Sequence, residues 1–161
     1  MAAIIRSHNA TLLRPEIPDK PCNCRKTECP LNGKCRAEGV VYEATVTSSN
    51  AVKKYVGMTV TEFKARYANH KTSIRHERYG NATELSKYVR GLAGSNTEYD
   101  IQWKIKDRAR PYTNSSKRCN LCITEAYHIM FADKATALNS RSELISKCPH
   151  QKNFALSTAP T

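Results

Sequence analysis

The sequence has 161 residues, and 26 Lys and Arg against 14 Asp and Glu give it a net charge of +12 at pH 7. This length suits one globular domain with short appendages and excludes a large multidomain enzyme. Hydrophobic residues make up 40% of the chain, so a buried core is expected and wholesale disorder is not. The charge predicts a polyanionic partner, with nucleic acid ahead of an anionic membrane surface.

The sequence carries no membrane or secretion signal that we can identify. No apolar run approaches the ~18 residues that a membrane span needs, and residues 1–15 lack the apolar stretch of a signal peptide. We therefore expect a soluble, intracellular protein that is not secreted. The seven cysteines are an odd number for a disulfide framework, so we interpret them as reduced thiols or metal ligands.

Two strands are predicted after a proline-containing start and a cysteine-rich segment. Residues 1–21 hold three prolines in a polar setting, which predicts a flexible linker, and the cysteine-rich segment covers 22–39. Alternating, β-branched runs follow at 40–46 and 54–59, with a polar turn between them. This pattern predicts a hairpin.

An amphipathic helix is predicted next, because Phe63, Tyr67, His70 and Ile74 recur at helical spacing. Thr59 or Thr61 can cap its start. The apolar residues Phe63, Tyr67 and Ile74 would face the core, and His70 would lie on the same side.

A second, shorter helix is predicted to begin at Asn81, since Glu84 follows at capping-box distance. Its apolar face would consist of Leu85, Tyr88, Val89 and Leu92. We expect Gly91 and Gly94 to end it.

The remaining pattern predicts a third strand at 99–105 and a final helix at about 121–131. The order of elements gives an α+β fold, a small three-stranded antiparallel sheet flanked by helices. The main domain would cover 40–150 and include zinc-stapled loops, with a tail at 151–161.

The cysteines form two sets whose spacing is typical of zinc ligands. The N-terminal quartet lies on a turn-rich loop that has no core of its own and consists of Cys22, Cys24, Cys29 and Cys35. The C-terminal quartet consists of Cys119, Cys122, Cys148 and His150. Together they supply eight soft or borderline ligands with no cysteine left over, which favours two structural zinc ions. The alternative is unrelated or redox-active cysteines.

Three further side chains indicate phosphate binding or metal binding. Arg66 and His70 are four residues apart on the predicted helix, so they share a face and can grip a phosphate and assist proton transfer. Glu125 has Leu121 and Ile129 four residues to either side, which places a carboxylate on an apolar face. A metal ion is expected at Glu125, and an internal ion pair is the alternative. For Arg66 and His70 the alternative is a solvated basic helix face.

At this point the motifs resemble a known family. Val40-Val41-Tyr42, then Tyr55-Val56-Gly57 and a helix bearing Arg66, resemble the signature of the GIY-YIG endonucleases, with Val40 in place of the family's first glycine. In more detail, residues 20–157 resemble the endonuclease domain of Penelope-like retroelements. The matching blocks are CNCRKTECPLNGKC, VVYEATV, YVGMT, FKARYANHKTS, TELSKY, RCNLCITE and LNSRSELISKCPH.

The resemblance implies a GIY-YIG nuclease fold and a one-metal phosphodiesterase that cuts DNA with Mg²⁺ or Mn²⁺. Tyr42 would help to activate water, Tyr55 would match the second-motif tyrosine, and Arg66 would contact the scissile phosphate. His70 would relay the proton. Glu125 would bind the catalytic cation, and Asn139, fourteen residues further on, would match the family's asparagine.

The resemblance also implies partners: DNA, a covalently linked reverse transcriptase domain and the RNA of the element, in the nucleus or in the cytoplasm before import. The residues that we expect to contact the DNA backbone are Lys54, Lys64, Lys71 and Arg75. A non-catalytic zinc-binding module that only binds nucleic acid remains the alternative function, with Tyr42 as a core residue and Tyr55 as a packing residue. A protein of the membrane surface is a weaker one, because no helix has a strongly hydrophobic exposed face.

Overall fold

The structure, a computed structural model, describes residues 3–4, 20–25, 27–113, 116–144 and 147–150. Within these ranges the strands are β1 (Val40–Ser48), β2 (Val52–Thr59) and β3 (Tyr99–Arg108). The helices are α1 (Phe63–Arg75), α2 (Glu84–Gly94), α3 (Asn120–Met130) and the single turn α4 (Arg141–Leu144), with a 3₁₀ turn at Glu77–Tyr79. The linker predicted for 1–21, except 3–4 and 20–21, and the tail predicted for 151–161 lie outside the described residues.

The predicted α+β class and three-stranded antiparallel sheet are confirmed for the described residues. The strand order is β2-β1-β3, so the first strand of the hairpin is also the central strand. All three strands run further than the alternation predicted, because pairing with a neighbour extends them into residues that are mostly polar. A register shift against β3 falls between Val41 and Tyr42, and such irregularities re-aim side chains.

Because β1 is central, side chains on both of its faces are covered. On one face, Tyr42 and Val46 pack with Phe63 of α1 and with Leu85 and Val89 of α2. The N-terminal cysteine loop completes this cluster with Leu31, Cys35 and Ala37. These apolar contacts hold α1 and the cysteine loop against the same face of the sheet.

The opposite face of the sheet carries a smaller apolar cluster. Val41 and Val56 pack there against Cys119, Leu121 and Ile129, which belong to α3 and its N-cap. Helix α3 is therefore separated from α1 by the thickness of the sheet.

Two predicted helix starts are wrong. The N-cap of α1 is Glu62, without a side-chain cap, so neither Thr59 nor Thr61 caps it. Helix α2 begins one residue after Thr83, which forms a reciprocal capping box with Ser86.

Asn81 and Glu84 therefore do not form the predicted cap of α2. The carboxylate of Glu84 instead accepts a hydrogen bond from Lys87 at 2.8 Å. The described residues contain no helix that combines the length and the apolar character required to cross a membrane.

Candidate active site and metal clusters

The centre of the candidate site is a chain of hydrogen bonds through the hydroxyl of Tyr42. Nε of Arg66 donates to this oxygen at 3.0 Å, and the hydroxyl lies 2.6 Å from Nε2 of His70. The Arg66 N–H can only donate, so Nε2 of His70 is the acceptor for the Tyr42 proton when the imidazole carries its own proton on Nδ1. A strand and a helix thus bring together three of the predicted residues.

His70 is enclosed by aromatic rings. Its imidazole is 1% exposed and lies 5.4 to 5.8 Å, between ring centroids, from Tyr42, Tyr55 and Trp103. Burial, with a contribution from the nearby Arg66 charge, lowers the pKa of His70 to about 3. The imidazole is therefore neutral at pH 7, as an acceptor from Tyr42 must be.

Burial also governs the two tyrosines. It raises the pKa of Tyr42 to about 12 against the opposing effect of Arg66, with smaller raising effects of Glu125 and Glu143. Burial, followed by the charge of Tyr42, raises the pKa of Tyr55. For Arg66, burial acts to lower the pKa, but the two tyrosines outweigh it and the pKa is raised. Arg66 is charged, and the tyrosines are protonated at rest.

Gly57 makes room for the Tyr42 hydroxyl. The two residues face each other across the β1–β2 pair. A Cβ atom added at position 57 would lie 2.5 Å from the hydroxyl oxygen of Tyr42, far inside van der Waals contact. The third residue of the second motif therefore has a steric role that the structure makes explicit.

Glu125 lies half-buried on α3 between the buried Leu121 and Ile129, as predicted from their spacing. Burial is the main reason why its pKa rises to about 7, and the Glu143 carboxylate adds to the rise while Arg66 opposes it. The carboxylate oxygens of Glu125 and Glu143 are hard donors, which fit Mg²⁺ or Mn²⁺. The sequence did not predict a role for Glu143. This residue lies near Glu125 only because the short turn α4 folds there, and no local pattern indicates that turn.

Asn139 clamps the backbone of β2. Its Oδ1 accepts from the Val56 N–H and its Nδ2 donates to the Val56 carbonyl, both at 2.8 Å. The segment before it pairs with Lys54 in parallel fashion through Ala137. Both ends of the amide are used in this way, so Asn139 positions the strand that carries Tyr55 and Gly57.

The N-terminal quartet converges as predicted. The Cys24 and Cys29 sulfurs are 3.7 Å apart, those of Cys22 and Cys35 are 3.4 Å apart, and all four lie within 4.8 Å of one another. Two thiolates bound tetrahedrally to one zinc would be about 3.8 Å apart. No disulfide joins them, so this cluster could hold a zinc ion.

The C-terminal quartet converges as well. Nδ1 of His150 lies 3.3 to 3.4 Å from the sulfurs of Cys119, Cys122 and Cys148. This geometry identifies Nδ1 as the ligand atom of the histidine, and the cluster could hold a second zinc ion. Both predicted sets are thereby brought together, and no cysteine is left outside them.

The predicted DNA-binding residues do not gather at the Tyr42 site. On a helix with 3.6 residues per turn, Lys64, Lys71 and Arg75 form one row that lies roughly 140–180° around α1 from Arg66. Lys71 also stacks its Nζ over the ring of Tyr67, at 5.6 Å from the centroid. The fourth residue, Lys54, pairs with Glu43 on β1 at 3.7 Å.

Comparisons of the chain with protein-family models, with curated proteins and with solved structures give no match. What the chain does is therefore inferred from its own residues and their geometry.

Proposed function

We propose that the chain is a divalent-metal-dependent endonuclease of the GIY-YIG type that hydrolyses phosphodiester bonds in DNA. The observation that carries the proposal is the hydrogen-bond chain from the half-buried Arg66 through the buried Tyr42 to the buried His70, with Glu125 close enough to raise the pKa of Tyr42 slightly. Phosphodiester hydrolysis requires a donor for the phosphoryl oxygens, a path for the proton of the attacking water, and neutralisation of developing charge. Arg66 would supply the first, Tyr42 and His70 together the second, and a cation held by Glu125 the third.

Arg66 binds the phosphate. A guanidinium has five N–H donors, of which Nε–H is engaged with Tyr42, and its planar fork suits a phosphate group. When Arg66 turns toward the scissile phosphate, a water molecule takes its place at the Tyr42 oxygen.

Tyr42 and His70 then form a proton relay. The water gives a proton to the Tyr42 oxygen while the Tyr42 proton passes to Nε2 of His70, so the tyrosine is neutral before and after the step. A phenolate, which the pKa of about 12 makes costly, does not accumulate. The bound phosphate offsets the Arg66 charge, which contributes to the low pKa of His70, and so makes the imidazole a better acceptor.

Glu125 would hold the divalent cation, with Glu143 beside it. When bound, this cation would supply a positive charge at the phosphoryl oxygens and lower the pKa of a water ligand. Glu125 fits this role because its carboxylate is half-buried and forms no ion pair within the part of the chain that the structure describes.

We further propose that the two quartets each bind one structural zinc. Each would use all four of its ligands for the metal and leave no open position for water, as in structural rather than catalytic zinc sites. In the retroelement setting the enzyme would nick nuclear DNA, leaving a 3′ hydroxyl that a linked reverse transcriptase extends on the element RNA.

A plasmid-nicking assay tests the proposed function. Zinc-loaded protein is expected to nick supercoiled plasmid when Mg²⁺ or Mn²⁺ is added and to be inactive without it. The nicked product should be extendable by a DNA polymerase, which requires a 3′ hydroxyl. Tyr42→Phe and Arg66→Ala, purified in the same way, should each lose roughly 10²–10⁴-fold in rate while binding DNA nearly as well. Wild-type protein that binds DNA but never nicks it would overturn the proposal.

One observation favours the alternative, a non-catalytic nucleic-acid-binding module. The row of Lys64, Lys71 and Arg75 faces away from Arg66, so backbone binding by this row does not need the Tyr42 site. In that case DNA affinity would depend on the row alone, and no divalent cation would produce nicks.

A further inference from the structure

The N-terminal quartet is joined to the start of α1 by main-chain hydrogen bonds. The carbonyl oxygen of Cys35 accepts from the Lys64 N–H at 2.7 Å, and that of Ala37 accepts from the Phe63 N–H at 2.8 Å. These bonds satisfy donors that a capping side chain would otherwise take, and α1 has no such side chain. The position of α1 therefore depends on the path of the cysteine loop.

A side-chain contact strengthens the same junction. Nε of Arg36, the residue after Cys35, donates to the carboxylate of the N-cap residue Glu62 at 3.0 Å. Arg66 follows Glu62 by four residues, about one helical turn. The loop that could hold zinc and the residue proposed to bind phosphate are thus at most a turn apart along one helix.

The C-terminal quartet has the corresponding relation to α3. Cys119 is the N-cap of α3, and its sulfur accepts from the N–H of Cys122, a second member of the quartet. Cys119 is also buried against Val41 and Val56 of the sheet. Glu125 follows Cys119 by six residues, so the quartet forms the start of the helix that carries the proposed metal ligand.

The two junctions lie on opposite faces of the sheet. Cys35 and α1 belong to the apolar cluster of Tyr42, whereas Cys119 and α3 belong to that of Val41. A disturbance of one helix start can therefore leave the other in place.

From these contacts we propose that each quartet, when it holds zinc, positions a different half of the site. This inference rests on the proposed function. The N-terminal zinc sets the position of α1 and thereby of Arg66 and His70, and the C-terminal zinc sets the position of α3 and thereby of Glu125. In this proposal the cysteines act as positioning residues and not as substrate ligands.

The chain offers a matched pair of variants. Cys22 and Cys148 are the exposed members of their quartets, so replacing either with alanine removes one ligand without opening a core cavity. The sequence has a single tryptophan, Trp103, whose ring lies 5.4 Å from Tyr67 and 5.4 Å from His70 on α1. Its fluorescence therefore reports the position of α1 and does not depend on activity.

In the test, zinc content is measured together with Trp103 emission and with Mn²⁺ affinity by electron paramagnetic resonance. Cys22→Ala should bind one zinc, shift Trp103 emission to the red, and bind Mn²⁺ as wild type does. Cys148→Ala should also bind one zinc, leave the emission unchanged, and weaken Mn²⁺ binding roughly ten- to a hundred-fold. Cys22→His, which retains four ligands, should restore both zinc and emission.

Other outcomes overturn the inference. If both variants change emission and Mn²⁺ affinity alike, or if neither changes anything, the quartets do not act on separate halves. If Cys22→Ala does not fold, zinc is titrated into Cys22→His instead. Trp103 emission that does not follow zinc occupancy in this variant would also overturn the inference. Failure of the proposed function looks different, because wild type would then not nick DNA although Trp103 emission still follows zinc.

Discussion

At the scale of single residues, Tyr42 depends on the absence of a side chain at position 57. The Tyr42 ring is wedged between Phe63, at 4.9 Å between centroids, and Trp103, at 5.8 Å, and its hydroxyl is held by Arg66 and His70. A ring restrained in this way cannot move aside at low cost. The hydrogen bonds of the Tyr42 hydroxyl therefore require that position 57 carries no side chain.

Gly57→Ala should displace the Tyr42 hydroxyl and break this chain. We expect a loss of about 1–3 kcal/mol in the free energy of unfolding, typical of overpacking, together with loss of nicking. Denaturant unfolding and the plasmid assay measure the two effects.

The matched control is Gly91→Ala in α2, where an added Cβ would meet nothing within 4 Å. It should leave nicking unchanged and stabilise the protein by about 0.5–1 kcal/mol, because alanine is the better helix former. A Gly57→Ala protein as stable and active as this control would contradict the steric role of Gly57.

His70 should make stability dependent on pH. Its pKa falls from 6.5 to about 3 on folding, so the unfolded chain binds more protons between these values. The stabilisation is complete above pH 6.5 and is lost as the pH falls toward 3. Between pH 7 and pH 5 we expect wild type to lose about 2 kcal/mol more stability than His70→Gln.

Urea unfolding at several pH values measures this difference. Protonation of zinc-ligand cysteines affects wild type and His70→Gln equally, so it cancels in the comparison. Parallel pH profiles for the two proteins would mean that His70 is not neutral and buried as described.

At the scale of secondary-structure elements, the sequence predicted what is local and missed what is not. Alternation and helical spacing identified all three strands and the three longer helices of the described residues. The start of α1 could not be predicted, because its N–H groups are satisfied by carbonyls of Cys35 and Ala37, which no local capping pattern signals. For α2, two overlapping cap patterns occur, and the Thr83–Ser86 pair forms rather than Asn81–Glu84.

The site divides in the same way. The spacing of Arg66 and His70 predicted that they share a face, and the apolar neighbours of Glu125 predicted its partial burial. The Asn139 clamp was not predicted, since it joins residues 83 apart in the chain. The contribution of Glu143 depends on the turn α4, which is only four residues long and has no apolar period to reveal it.

Helices α2 and α3 provide a comparison of two glutamates. Glu125→Gln should abolish Mg²⁺-dependent nicking, leave DNA binding equal or stronger, and leave stability without divalent cations equal or higher, since a half-buried carboxylate is removed. Glu84→Gln should keep its activity and lose only the exposed pair with Lys87, worth roughly 0.2–0.5 kcal/mol.

Nicking time courses of both variants measure the effects on activity, and thermal melts measure the effects on stability. If Glu84 proves essential and Glu125 dispensable, the metal has been assigned to the wrong helix.

At the scale of the whole molecule, the charge of +12 should dominate DNA affinity. Binding should weaken steeply as salt rises and depend little on base sequence, because basic side chains displace counterions from phosphates. Replacing Lys64, Lys71 and Arg75 together with glutamine should reduce the slope of log K against log salt by roughly 2–3 if all three contact phosphates.

Fluorescence anisotropy of a labelled duplex at several salt concentrations measures the slope. The control is a triple variant of the scattered exposed lysines Lys34, Lys87 and Lys104, which changes the net charge equally. An equal reduction in both triple variants would show that diffuse charge, and not the row on α1, binds the DNA.

The sheet also has two edges, and the chain treats them differently. Lys54 of β2 donates its N–H to the Thr136 carbonyl and accepts from the Leu138 N–H, so the segment before Asn139 covers that edge. Along β3, the exposed side chains include Lys104, Lys106 and Arg108, which repel a like-charged strand. The β2 edge is thus covered by main-chain hydrogen bonds, and the β3 edge carries basic side chains that disfavour pairing with another basic strand. If the protein binds DNA as proposed, copies that lie side by side on the duplex should not add their neighbours' strands to their own sheets.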